Sequence, residues 1–112
     1  MQIHYRTTKL KKVCDSQKEM LKTFGAPKAK KLQQRLMELR AADHLGQISK
    51  LPQPRCHELS NNREGQLSVD LDHPYRLIFI PANDPVPKKE DGGLNWNAVT
   101  EIEIVEIVDT HK

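Results

Sequence analysis

The chain has 112 residues, 37% apolar and 29% charged, with a mean hydropathy of −0.70. That length suits one domain and leaves no room for a second full core, and no apolar run approaches the roughly 18 residues that a membrane span needs. Charge is uneven: residues 1–63 hold 14 Lys/Arg against 5 Asp/Glu (+9), whereas residues 64–112 hold 4 against 10 (−6), leaving +3 overall.

The N-terminal MQIHYRTTKLKK lacks the apolar core of a secretory signal. Cys14 and Cys56 fall on different predicted elements without metal-ligand spacing. A reduced, cytoplasmic protein is the expectation. The basic half could meet nucleic acid, or its lysines could simply solvate two helices.

In chain order, Met1 to Arg6 alternates Ile3 and Tyr5 with polar residues and reads as a short strand. Thr7 or Thr8 can cap a helix whose stripe is Leu10, Val13, Cys14, Met20, Leu21 and Phe24, ended by Gly25. Pro27 suits the first turn of a second helix. Its apolar face is Ala29, Leu32, Leu36 and Leu39, with Lys28, Lys30, Lys31, Arg35 and Arg40 mostly off that face and fraying expected between Asp43 and Gly46. Two such helices joined by a short turn form an antiparallel hairpin, and each needs a sheet or the other to cover its stripe.

Leu51 to Pro54 is a linker. Arg55 to Leu59 reads as a short strand, Asn61-Asn62 as a turn, and Gln66 to Asp72 as a half-buried strand. Tyr75 to Ile80 is nearly all apolar and suits a central strand, with Arg76 its one charge. Pro81 to Asn97 is a long connection, and Thr100 to Val108 is a strand with a phase break near Val105 that suits a bulge. The resulting fold class is α+β, with an N-terminal strand and a helical hairpin on a twisted, mainly antiparallel sheet.

Chemical motifs are sparse. Gly92-Gly93 lacks the context of a phosphate loop, and Glu101 with Glu103 suits a solvated sheet face better than a catalytic dyad. Cys56 and His57 are neighbours on a strand, so their side chains diverge. What remains is Arg55, His57, Arg63, Arg76, Asp109, His111 and Lys112, at strand positions and strand ends that could converge on one concavity. Arg76 would offer a bidentate fork for phosphate, or snorkel and pair with Asp70 or Asp72. The two histidines titrate near neutral pH, which suits proton transfer, although a half-exposed surface histidine is the ordinary alternative.

The segments Arg55-Cys56-His57-Glu58-Leu59, Arg63-Glu64-Gly65-Gln66-Leu67-Ser68-Val69 and Tyr75-Arg76-Leu77-Ile78-Phe79, with the terminal Asp109-Thr110-His111, resemble the HigB-type (plasmid maintenance killer protein) toxins of the RelE/ParE superfamily. The resemblance implies a ribosome-dependent, metal-independent mRNA endonuclease that needs no cofactor and is restrained by a cognate antitoxin, sometimes of helix-turn-helix type. In it His57, Arg76, Asp109 and His111 match catalytic positions, with Arg55, Arg63 and Lys112 as phosphate-binding candidates. Thr110 stands where the family usually has tyrosine and cannot stack on a base, and the 81–97 connection is longer than usual. The alternative within the same fold is a protein without nuclease chemistry, such as a ParE-like gyrase inhibitor or an inactive member.

Overall fold

A computed structural model describes residues 1–109. Strand β1 (Gln2–Tyr5) leads into helix α1 (Thr8–Asp15), where the Thr7 hydroxyl accepts from the Leu10 amide at 3.1 Å. The expected single helix to Phe24 is in fact two. Ser16 takes an extended backbone (φ −130°) and its hydroxyl accepts from the Glu19 amide at 3.2 Å, opening α2 (Gln17–Phe24). The cause is local: Ser16-Gln17-Lys18-Glu19 has the Ser-x-x-Glu pattern of a helix start, which competes with continuation of α1. Leu21, expected on the buried stripe, is accordingly 45% exposed.

Gly25, at φ +80°, ψ 169°, joins α2 to α3 (Ala26–Ala41). Ala29, Leu32, Leu36 and Leu39 are buried, as their spacing requires. Arg35, expected off that face, is buried as well. It lies three residues after Leu32 and four before Leu39, so it shares their stripe. The expected fraying after Asp43 is replaced by a short helix α4 (Leu45–Ser49), because Leu45 and Ile48 are buried and the Leu45 amide donates to the Val99 carbonyl at 2.9 Å.

Four further strands complete the sheet: β2 (His57–Glu58), β3 (Leu67–Asp70), β4 (Tyr75–Pro81) and β5 (Glu101–Asp109). The order is β1-β5-β4-β3-β2, with β1 parallel to β5 and the other pairs antiparallel. Strand β2 is shorter than the expected 55–59, because Arg55 has a left-handed backbone (φ 48°) that no ladder accommodates. Leu67, Val69, Leu77, Phe79, Ile102 and Ile104 join the apolar cluster that includes the helix stripes. The helices therefore cover one face of the sheet.

Strict alternation assigns the other face to His57, Ser68, Asp70, Arg76, Ile78 and Glu103, since these pair across the ladders with one another or with their neighbours. The bulge is where the sequence places it. Ile78 opposes Glu106 and Phe79 opposes Ile104, so Val105 is the extra residue. The 82–100 connection is ordered by its own contacts. Asn83 Oδ1 accepts from the Thr100 and Glu101 amides at 3.0 and 3.2 Å, Lys88 bridges to Leu94, and Leu94 and Val99 are buried. Among the described residues no helix is long and apolar enough to cross a membrane.

Candidate functional site

Two elements bring Arg76 and His57 together. Arg76 sits on central strand β4, opposite Asp70 of β3. His57 sits on edge strand β2, opposite Ser68 of β3. Both pairings fall on the face away from the helices, one strand apart, and the long guanidinium closes the gap. Arg76 Nη1 lies 3.0 Å from His57 Nε2 and 3.4 Å from Ser68 Oγ.

Both ring nitrogens of His57 have partners. Its Nδ1 lies 2.9 Å from the Arg55 carbonyl, which only accepts. Nδ1 therefore carries the proton. A guanidinium only donates, so the two contacts together suit a ring with its proton on Nδ1 and the Nε2 lone pair turned toward Arg76. The left-handed turn at Arg55 is what brings that carbonyl back to the ring, two residues on. Backbone strain of this kind costs about 1–3 kcal/mol where a structure retains it.

Asp70 stands between two arginines. Its Oδ1 is 3.5 Å from Arg76 Nε, and its Oδ2 is 3.5 Å from Arg55 Nη1. Oδ1 is buried and accepts no hydrogen bond among the described residues. The 3.5 Å approach of Arg76 is thus an ion-pair distance without the alignment of a bond. Asp70's own backbone is held firmly: its amide donates to the Pro54 carbonyl at 2.7 Å and its carbonyl accepts from Arg35 Nε at 2.7 Å. The pairing of Arg76 with Asp70 was one of the two readings of the sequence; pairing with Asp72 is not what the ladder gives.

The other candidates are distributed unevenly. Arg63 precedes β3 and reaches Glu106 Oε1 at 2.6 Å and Gln66 Oε1 at 3.0 Å. Because Glu106 is on β5, that bridge passes over β4 at the row of Ile78, which is fully buried although it points away from the helices. Arg63 is therefore engaged with a carboxylate beside the His57–Arg76 pair and does not touch it. Asp109 opposes Tyr75, and with Leu77 and Ile107 that row belongs to the helix-facing side. It reaches the same end of the sheet as Arg76 but from the opposite face. Thr110, His111 and Lys112 lie outside the described residues.

One residue escaped the sequence reading. His73, in the β3–β4 turn, lines a hollow with Arg55, Asp70, Tyr75 and Arg76. A histidine flanked by Asp72 and Pro74 looks like turn chemistry alone. The available signal was its place three residues before the arginine. Lys28 of α3 adds a cation at this end, 3.2 Å from the centre of the Tyr75 ring on the helix side.

The remaining polar groups have other duties. Glu101 and Glu103 pair with His4 and Arg6, each at 2.9 Å, across to β1. Burial, with Glu58 adding to it, pushes the Cys56 thiol up to about 12, which makes it a poor nucleophile near neutral pH. The exposed lysines 9, 11, 12, 18, 22 and 30 lie on α1 to α3, behind the sheet from His57 and Arg76. No family model and no curated protein matches this sequence.

Proposed function

We propose that this chain is a HigB-type toxin of the RelE/ParE superfamily, a ribosome-dependent mRNA endonuclease that works without a metal. The observation that carries the reading is the His57 imidazole held 3.0 Å from the Arg76 guanidinium on an accessible face. In this chemistry the 2′-hydroxyl attacks the adjacent phosphorus, the new 2′-O–P bond forms and the P–O5′ bond breaks. The products are a cyclic phosphate and a free 5′-hydroxyl. A lone pair at Nε2 suits the group that takes the 2′-hydroxyl proton. A guanidinium beside it suits the charge that develops on the phosphorane oxygens. His111 is the proposed partner that returns a proton to O5′.

The lysine-bearing helices supply a second, sequence-independent surface for ribosomal RNA, whose hold would weaken with salt. A cognate antitoxin and a cytoplasmic location belong to the same proposal.

The test is induced expression without a neighbouring antitoxin gene, followed by mapping of mRNA 5′ ends. Cuts inside translated codons are expected, and they should vanish in His57→Ala and Arg76→Ala variants that retain the far-ultraviolet spectrum of the parent. Intact messages together with DNA damage would point to gyrase instead and refute the nuclease reading. Unimpaired growth on induction would refute toxicity altogether.

A further inference from the structure

Strand β2 carries His57 and is thinly held. Among the described residues it ends the strand order, and it pairs only His57 and Glu58 with β3. Its flanks are bonded to β3 alone: the Asp70 amide donates to the Pro54 carbonyl at 2.7 Å and the Leu59 amide to the Gln66 carbonyl at 2.8 Å. A strand bonded along one side can pivot about that line of bonds, and the pivot would carry the imidazole across the open face.

The anchors against that pivot lie on the other face. Alternation sends Cys56 and Glu58 to the helix side when His57 points away from it. Cys56 packs against the apolar cluster, and Glu58 stands opposite buried Leu67. Glu58 Oε2 accepts from Trp96 Nε1 at 3.3 Å, across 38 residues of chain. Trp96 opens a short 3-10 helix (Trp96–Ala98) in the long connection to which the family resemblance gives no role. That helix has a firm seat on α4. Asn97 lies so close over Gly46 that a Cβ there would collide with its Oδ1, and the Leu45 amide donates to the Val99 carbonyl at 2.9 Å. Elsewhere the connection stands off from the strands across a hollow of about 220 Å³, lined by Glu58, Leu67, Ile80, Val86, Lys88 and Leu94.

We propose that Trp96 and Glu58 are positioning residues for His57. Their hydrogen bond ties β2 to the seat on α4, stops the pivot and keeps the imidazole 3.0 Å from Arg76. The proposal rests on the endonuclease reading, in which that imidazole takes a proton. Misplacing a reacting group by about 1 Å can cost about a hundredfold in rate, and a tether that only limits a pivot accounts for a smaller share, about tenfold.

The experiment takes two readouts on the full chain. Single-turnover cleavage on message-programmed ribosomes gives a maximal rate and a half-saturating concentration. Nitrogen NMR spectra of the imidazoles, with His57 assigned from His57→Ala, report the surroundings of its ring without any substrate. Trp96→Phe keeps a ring against the apolar cluster and deletes the donor, whereas Glu58→Ala deletes the acceptor at an exposed position. Both should lower the maximal rate about tenfold while half-saturation stays within about twofold of the parent. Both should also move the His57 resonances and leave those of His4, on β1, in place. Glu58→Gln, whose amide oxygen still accepts, should match the parent in both readouts. Unmoved His57 resonances in Trp96→Phe and Glu58→Ala would overturn the proposal. So would an unchanged cleavage rate in those variants of a parent that cuts, or a Glu58→Gln that behaves like Glu58→Ala. If the resonances move as expected and the parent cuts no message, the tether stands and the nuclease falls.

Discussion

Replacing Arg35 by methionine keeps a long apolar stem among Leu32, Leu36 and Leu39 while removing every donor of the guanidinium. Arg35 is 3% exposed, and it donates to the Asp70 carbonyl at 2.7 Å, to Glu38 at 3.0 Å and to the Gln53 carbonyl at 3.4 Å. The short bond to Asp70 is charge-assisted, and losing it strands a carbonyl, which costs about 1.5–3 kcal/mol. The Gln53 contact is long and adds little. Glu38, with its side chain 22% exposed, recovers water once its partner is gone. The sum is a destabilisation of about 2–4 kcal/mol. At about 4 °C per kcal/mol for a chain of this size, the melting temperature should fall by about 8–16 °C. Urea unfolding followed by circular dichroism measures it, with Lys30→Met on the exposed side of the same helix expected to stay within about 0.5 kcal/mol of the parent. A variant as stable as the parent would refute the reasoning. It would mean that desolvating this cation costs as much as its bonds return, as happens for some buried ion pairs.

Gly25→Ala should cost about 1–3 kcal/mol although nothing lies within 4 Å of the added methyl, because φ +80° with ψ 169° is open only to glycine; an unfolding midpoint equal to the parent's would count against that. Burial holds the Cys14 thiol up at about 11, with Asp15 adding to it, and Cys56 at about 12, against an ordinary 9.0. The unfolded chain therefore sheds these protons first, and stability should fall as pH rises from 9 towards 11, by up to about 1.4 kcal/mol per unit for each thiol. Urea midpoints at pH 8 and pH 10.5 check the sign, and Cys56→Ala should flatten the decline. A double-mutant cycle on Arg63 and Glu106 should give a coupling of only about 0.5–1 kcal/mol at low salt, since the side chains are 32% and 42% exposed; a coupling above about 2 kcal/mol would show a drier bridge than these exposures allow.

The sheet was readable because each strand carries its own pattern: Leu67 and Val69 alternate with Ser68 and Asp70, and Leu77 to Phe79 form a continuous apolar run. The phase break at Val105 was legible for the same reason. The helical half is less legible, because a periodic stripe runs through the cap at Ser16 and the charge of Arg35 disguises a spacing that puts it on the buried face. Arg35's partners, Asp70 and Gln53, are 35 and 18 residues away, so no local pattern announces them. Of the proposed constellation, residues 55, 57 and 76 were brought together by cross-strand register. Asp109 was grouped with them from the motif, while the inversion at Val105, carried two rows further, assigns it to Tyr75's side. His73 was invisible because turn residues have no period to betray them.

That inversion makes the facing of the final strand depend on the bulge itself. With Val105 present, Ile107 keeps its place against the apolar cluster only because that residue is taken up as a bulge and fills no position in the ladder. Excising Val105 would make the pairing with β4 continuous, Ile104 opposite Phe79 and Glu106 opposite Ile78, and would leave Ile107 against the apolar cluster and Asp109 on the side of Tyr75. An unbulged path through Val105 would instead turn Ile107 to water and Asp109 toward Arg76, so the bulge itself keeps the acid that ends this strand and the arginine on its neighbour on opposite sides of the sheet.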